Sequence, residues 1–240
     1  MAKPPRPWIV TRHDPLERID ENLWAVNGDV PGFPPSAGFH RRMSIVRRSD
    51  GKLLFFNAVP LDESTLAAVR ALGEPALLLI PHHLHCMDGR AFAEKLGLSV
   101  YTAAISLERV RSIVPIAGPL EALPPDPTIT IEPIASSKFG EAGVVVHTGG
   151  RASLLLCDLV VNVPHGPGLA GFIFRLLGFT GPAPKLPPPV RMRAFPDKRL
   201  ARADLERLAM LPGLCRIVPS HGAIVDADPA GSLRRAAALI

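Results

Sequence analysis

Aromatic residues are scarce in this 240-residue chain, at 5% of the total with one tyrosine and two tryptophans. Proteins that bind single-stranded nucleic acid stack bases on aromatic side chains, so the scarcity argues against nucleic acid as a partner. The net charge of +5 is modest. The densest basic runs, 40–48 and 187–202, would also suit a solvated face or an anionic substrate. Nucleic-acid binding through these runs is the weakest of the functions considered.

Cysteine is also rare, and its placement limits the class of protein. Cys86, Cys157 and Cys215 are the three cysteines, and no two of them form a CxxC pair. An odd number of unclustered cysteines argues against a disulfide framework and predicts a reducing cytoplasm.

Long hydrophobic runs are missing. Proline or arginine interrupts every apolar stretch before the roughly 20 residues that a membrane span needs. The basic N-terminus lacks an apolar region of signal-peptide length. We therefore expect a cytoplasmic protein with no membrane partner. The apolar segment 169–179 is interpreted as a cover packed on the core, with a membrane anchor as the less favoured alternative.

Proline, in contrast, is abundant. The chain has 27 prolines, about twice the usual share of roughly 5%. They cluster at 4–7, 119–127 and 182–196 and indicate loops there. Hydrophobic residues at 47% and charged residues at 20% are typical of a globular protein.

The hydrophobic patterns alternate between strands and helices. A strand at 21–30 precedes a hairpin at 41–59 that turns at Ser49-Asp50-Gly51. Asp62 and Gly73 bound a predicted helix. Further strands are predicted at 75–80, 99–103, 128–134, 142–150, 151–163 and 215–220, further helices at 89–97, 197–211 and 229–240, and a Pro/Gly-rich cover or lid at 164–196. This order predicts a single α/β domain over residues 1–240.

The stretch "PHHLHCMD" follows the buried strand 75–80 and concentrates polar side chains. His83 and His85 are two residues apart, so on an extended segment both imidazoles point the same way and can bind one cation. The alternative is a polar turn without a ligand. Asp88 directly precedes a helix, so it is interpreted first as an N-cap and second as a general base.

Two other strands end in polar residues. Asp158 lies within the very apolar strand 151–163, in "CDLVVNV", where a carboxylate must be hydrogen-bonded or bind a cation. His221 comes directly after strand 215–220. Ligands collect at the carboxyl ends of strands in α/β sheets, so these side chains are candidates for one site.

Taken in order, "HHLHCMDG", "HTGGRASLLLCD" and "PSHG" resemble the metallo-β-lactamase superfamily, and the resemblance runs over about residues 20–225. It implies an α/β fold of the αββα sandwich type. It also implies a metal-dependent hydrolase with one divalent metal, zinc before iron or manganese, and a small-molecule or anionic substrate. A site without any metal remains the alternative.

Carried over residue by residue, the resemblance makes His83, His85, Asp158 and His221 the metal ligands. Asp88 and Asp158 are the expected catalytic residues. The sequence departs from the family at four positions: Met87 replaces the motif's aspartate, Asp88 its histidine, Arg151 the histidine of the following turn, and Asn57 an aspartate after the hairpin. In a second register only His85 matches the motif, as its last histidine.

Three further residues are expected beside the site. His147 is predicted to stabilise the "HTGGR" turn, and Cys86 is interpreted as a small buried hydrophobe or, less favoured, a thiolate ligand. Arg151 would weaken metal binding, or bind an anion or Asp158 in the place of the metal. The leading function is thus a single-metal hydrolase, and the alternative is a metal-free relic of the fold that binds anions or small molecules.

Overall fold

The computed structural model describes residues 7–32 and 39–240. Its chain divides into two compact units, unit 1 with residues 1–28 and 42–129 and unit 2 with residues 29–41 and 130–240. Of the predicted N-terminal proline cluster, residues 4–6 lie outside the described part of the chain.

Unit 1 is built on a seven-stranded sheet in which the strand order follows the chain. The strands are β1 (Glu17–Asp20), β2 (Leu23–Asp29), β3 (His40–Arg47), β4 (Lys52–Phe56), β5 (Glu74–Ile80), β6 (Ser99–Thr102) and β7 (Gly118–Pro119). The β3–β4 pair is the predicted hairpin and is antiparallel. From β4 to β7 the neighbours pair in parallel, and β5 is the predicted strand 75–80. β1 was not predicted from the sequence.

Among the residues of unit 1 that the structure describes, three α-helices accompany this sheet: α1 (Glu63–Leu72), α2 (Gly89–Leu96) and α3 (Leu107–Arg111). The predicted N-cap of α1 is confirmed, since the Asp62 carboxylate accepts the Thr65 amide at 2.7 Å. This bond and the one from Ser64 lower the pKa of Asp62 to about 2. Buried Leu66 and Val69 of α1 and Phe92 of α2 join the apolar core of the unit.

Unit 2 contains a four-stranded sheet in the order β11-β10-β9-β8. Its strands are β8 (Ile129–Pro133), β9 (Ala142–Thr148), β10 (Arg151–Leu156) and β11 (Leu214–Pro219). β10 pairs antiparallel with β9 and parallel with β11. The predicted strand 151–163 is too long, because β10 ends at Leu156. Asp158 therefore follows the strand and does not lie within it.

The described part of unit 2 contains four α-helices: α4 (Gly168–Leu176), α5 (Pro188–Ala194), α6 (Lys198–Leu208) and α7 (Pro229–Ala238). The predicted helices 197–211 and 229–240 are confirmed as α6 and α7. α5, which begins with two prolines, was not predicted, because proline is compatible with a first helical turn as well as with a loop. Leu205 of α6 and Leu233 of α7 lie in the core of the unit.

We expect Asp197→Ala to lower the free energy of unfolding by about 1 kcal/mol. The Asp197 carboxylate accepts the Arg199 amide at 2.9 Å and the Leu200 amide at 3.0 Å, and so satisfies two donors at the start of α6. Thermal melting followed by far-UV circular dichroism measures the change. Asp197→Asn, which keeps a capping oxygen, should melt within about a degree of the original protein. Equal losses for both substitutions would contradict the capping role.

The structure bears on two expectations from the sequence, the absence of a membrane-spanning helix and a basic surface at 40–48. In the part of the chain described, no helix combines the length and apolarity needed to cross a bilayer. The basic run 40–48 is largely internal, since Arg41, Arg42 and Arg48 are each less than a tenth exposed. Burial lowers the pKa of Arg42 to about 10. This run therefore does not offer nucleic acid a continuous basic surface.

Candidate functional site

The histidine cluster of unit 1 is a turn of 3₁₀-helix and not an extended segment. The 3₁₀ turn covers His83–His85, and His82 precedes it. In a 3₁₀-helix, residues three apart align and residues two apart point to different sides. His82 and His85 are therefore the pair on one side, and the geometric reason for pairing His83 with His85 is wrong.

His82 and His85 form a close pair. Each offers a ring nitrogen within 4.8 Å of the other's, and their ring centroids are 4.9 Å apart. His82 is 1% exposed, and its Nδ1 accepts the Leu84 amide at 3.4 Å. That hydrogen bond is long and therefore weak. His82 therefore caps the turn, and its ring is close enough to His85 for both to bind one cation.

Asn57 orients the ring of His85. The Asn57 amide nitrogen donates to the Arg42 carbonyl at 3.2 Å, which turns its oxygen towards His85 Nδ1, also at 3.2 Å. Because that oxygen only accepts, Nδ1 carries the proton and Nε2 of the neutral ring keeps its lone pair. This is the arrangement that metal-binding histidines have. Asn57 adopts a φ of 67°, a left-handed conformation that asparagine tolerates better than most residues.

The residues after His85 differ in exposure. Cys86 is buried, its thiol donates to the His83 carbonyl at 2.8 Å, and burial raises its pKa. Cys86 is thus a small buried residue, as predicted.

Met87 faces solvent. Asp88 takes the predicted N-cap position of α2, but its side chain makes no capping hydrogen bond, so the predicted capping role is wrong. Asp88 is nonetheless buried.

In unit 2, a buried carboxylate holds the loop that carries Asp158. Glu141 is 2% exposed. Its two oxygens accept the amides of Cys157 at 2.8 Å, Asp158 at 3.0 Å and Leu159 at 3.2 Å. Three successive amides on one carboxylate fix the backbone directly after β10. Nothing in the sequence around Glu141 distinguishes it from an ordinary surface acid before a strand.

The charges of this loop interact. Burial, and then repulsion from the Asp158 carboxylate, raise the pKa of Glu141 to about 7. Burial and the same two carboxylates raise the pKa of the Cys157 thiol well above its usual value. Cys157 Sγ lies within 4.8 Å of an Asp158 carboxylate oxygen, so it is a further ligand-type atom that the sequence interpretation missed. A cation beside Asp158 would relieve these repulsions.

His221 is fixed at the end of β11 by its neighbours. Its Nδ1 lies 2.8 Å from the His40 carbonyl, and its ring stacks on Phe39 with centroids 4.5 Å apart. Gly222, which follows, has a φ of 92°, and a Cβ there would overlap the Asn162 carbonyl. The glycine of "PSHG" is therefore required by the backbone that presents His221.

His221 and Asp158 face each other. His221 Nε2 lies 3.6 Å from Asp158 Oδ1, and both side chains are at least 86% buried, with 7% and 14% exposed. The His40 carbonyl only accepts, so Nδ1 carries the ring proton and Nε2 of the neutral ring has a lone pair. Two electron-rich atoms at this distance are stabilised by a cation near them or by a second ring proton. The pair thus has the chemistry of two metal ligands.

The comparisons with known proteins identify the fold. Two solved structures of the DIM-1 metallo-β-lactamase match nearly the whole chain: the one exposed to ceftazidime has a TM-score of 0.64 and 17% identity over 96% of this chain and 99% of its own. The chain has the metallo-β-lactamase fold. The second structure agrees, with a TM-score of 0.62 and 13% identity over 95% and 99% of the two chains. No protein-family profile and no curated protein matches the sequence.

The predicted α/β fold of the metallo-β-lactamase type is therefore confirmed, and two site residues need correction within it. Arg151 begins β10 and Asp158 follows the other end of that strand. Six residues of strand span roughly 16 Å between their end Cα atoms, too far for Arg151 to bind Asp158, so that expectation is wrong.

His147 also differs from its predicted place. It lies on β9 and not in the turn, is exposed, and its Nε2 is 2.9 Å from the Thr130 hydroxyl. The antiparallel register places it opposite Ala152, near the beginning of β10. In this metallo-β-lactamase fold, His147 therefore links β9 to β8 and lies at the end of β10 remote from Asp158.

Proposed function

We propose that this protein is a metal-dependent hydrolase that uses one divalent cation, with zinc as the first candidate and iron or manganese as alternatives. Of the ligands predicted from the sequence (His83, His85, Asp158 and His221), we keep His85, Asp158 and His221. His82 takes the place of His83 in the proposal, because His82 pairs with His85. The fold shared with the DIM-1 metallo-β-lactamase supports the proposal.

The observation that carries the proposal is the His221–Asp158 pair of unit 2. The ring nitrogen that the His40 carbonyl leaves unprotonated is the one that faces the carboxylate, at 3.6 Å. Zinc sites combine neutral imidazole with carboxylate ligands and fix the imidazole through its other ring nitrogen. His85 of unit 1 has the same tautomer through Asn57.

A bound divalent cation would supply Lewis acidity and strengthen water as a nucleophile near neutral pH. Asp158 and His221 would hold their shared cation through Oδ1 and Nε2, and Glu141 would keep the Asp158 backbone in place through its three amide bonds. Asp88, which is buried beside the histidine turn, remains the proposed general base.

The metal-free alternative loses one of its supports. In that alternative, Arg151 binds an anion or forms an ion pair with Asp158. The length of β10 separates Arg151 from Asp158, so the ion pair cannot form. The substrate remains a proposal at the level of a small molecule or anion. The proposal places the protein in a reducing cytoplasm, in keeping with its free cysteines Cys86, Cys157 and Cys215.

The test is the metal content of the purified full chain after expression with zinc, iron or manganese. We expect about one equivalent of one metal per chain, removed by a chelator and restored by adding the metal back. Hydrolysis of a chromogenic cephalosporin, a phosphodiester and an ester should be assayed on the loaded, stripped and reloaded protein. Any activity found should follow the metal content.

His221→Ala should lose most of the bound metal. His147→Ala is the matched control, because it removes a histidine of the same unit at the remote end of β10 and should retain full metal content. Absence of bound metal after all three supplements would overturn the proposal. Equal metal content in the His221 and His147 variants would exclude His221 as a ligand.

A further inference from the structure

Helix α4 turns its most apolar side chains towards solvent. Leu169, Phe172, Ile173, Leu176 and Leu177 are 43–76% exposed, and Leu169 and Leu176 define the upper limit. We call these five residues the α4 surface. Large apolar side chains clustered on one helix are uncommon on the free surface of a monomer and usually mark a site of interaction.

The packing of α4 shows why these residues remain exposed. Leu169, Phe172, Ile173 and Leu176 have the spacing i, i+3, i+4, i+7 of a single helix face. The opposite side is used for packing: Gly171 is buried with no room for a side chain beside Gly166. Phe174 contacts Phe39 with ring centroids 5.4 Å apart. The helix is therefore held by its less apolar side, and the apolarity of segment 169–179 does not serve packing on the core.

The charged side chains of the chain segment that contains α4 have one sign. From Leu159 to Pro196 the sequence contains no aspartate or glutamate, and its basic residues are Arg175, Lys185, Arg191 and Arg193. Arg175 and Arg193 are exposed. A second copy of the chain would bring two such positive segments together, whereas a bilayer with anionic lipids offers both apolar depth and opposite charge.

We propose that the α4 surface binds the surface of an anionic lipid bilayer. Phe172, Leu176 and their neighbours enter the boundary between headgroups and acyl chains, and Arg175 and Arg193 lie among the lipid phosphates. This peripheral mode needs no membrane-spanning helix, and it departs from the sequence expectation of no membrane partner. It does not depend on the proposed metal.

Co-sedimentation of the full chain with vesicles tests the proposal. We expect binding to phosphatidylcholine vesicles that contain phosphatidylglycerol, and little binding to phosphatidylcholine alone. Phe172→Glu with Leu176→Glu should lower the ratio of bound to free protein by about tenfold or more. Arg175→Gln with Arg193→Gln should lower binding to the anionic vesicles, and high salt should have the same effect.

Met210→Glu with Leu239→Glu is the matched control. It adds the same charge at two exposed apolar residues of unit 2 outside α4, and both are about 70% exposed. Binding should be retained, and thermal melting of all variants should agree, since every substituted residue is at the surface. Failure of the original protein to bind anionic vesicles would overturn the proposal. A dimer detected by light scattering that Phe172→Glu with Leu176→Glu dissociates would replace the bilayer with a second copy.

Discussion

Replacing Glu141 with alanine is expected to lower the free energy of unfolding by about 3 kcal/mol or more. The substitution leaves the buried amides of Cys157, Asp158 and Leu159 without the acceptor they have in the fold, and each unsatisfied donor costs about 1–3 kcal/mol. For a chain of this length that corresponds to a fall in melting temperature of roughly 6–12 °C.

The same substitution also has a stabilising effect. Removing Glu141 also removes a carboxylate that burial and Asp158 disfavour, as its raised pKa of about 7 shows. Glu141→Gln separates the two effects, because it removes the charge and keeps one acceptor oxygen. We expect the stability of Glu141→Gln to lie between that of the original protein and that of Glu141→Ala. The glutamine NH₂ group cannot accept a hydrogen bond, so at least one backbone amide would lose its acceptor.

Melting curves recorded by far-UV circular dichroism measure the stability of each variant. A chelator is added so that bound metal does not contribute. Glu206→Ala, at an exposed position of α6, is the control and should change stability by less than about 0.5 kcal/mol. A Glu141→Ala protein that melts within about 2 °C of the original would show that the three amides find other acceptors.

Replacing His85 with alanine is expected to weaken divalent-metal binding by about 100-fold or more, while replacing His83 changes it little. Loss of an orienting group alone costs about 10–100-fold in affinity, and loss of a ligand should exceed that range. His83 and His85 are two residues apart in a 3₁₀ turn, a spacing that directs side chains to different sides. Asn57 gives His85 the tautomer with a free Nε2. Competition with a chromogenic zinc chelator measures the affinities.

Two further substitutions complete this test. Asn57→Ala should lower metal affinity by about tenfold, because His85 keeps its nitrogen but loses the hydrogen bond that orients it. His82→Ala shows whether the second ring of the pair binds metal or only caps the turn. Equal losses for His83→Ala and His85→Ala would restore the interpretation in which these two residues bind together.

Several elements could be predicted because their signals are local. The hairpin at Ser49-Asp50-Gly51, the cap Asp62 and the buried strand β5 depend on turn chemistry, capping and apolar run length, and all three were found where predicted. The motifs that follow β5, β10 and β11 likewise carry the resemblance to the metallo-β-lactamase superfamily, which implied this fold.

The site depended on information that the local sequence does not contain. The partner of His85 changed from His83 to His82 because the backbone turns as a 3₁₀-helix after Pro81, and residue spacing gives a direction only once the backbone conformation is known. The role of Glu141 is equally non-local, since its hydrogen-bond partners lie 16–18 residues later in the chain.

By itself, the sequence determined the α/β class, most of the strands and helices, and the ends of strands where polar side chains collect, because apolar period and turn residues act over a few positions. The sandwich type followed from the family resemblance of its motifs. Only the tertiary structure decided which of those side chains meet. It separated Arg151 from Asp158 by the length of β10, brought His221 to Asp158, and exposed the apolar face of α4. Each outcome depends on distances between residues that are far apart in the chain, and these distances follow from packing.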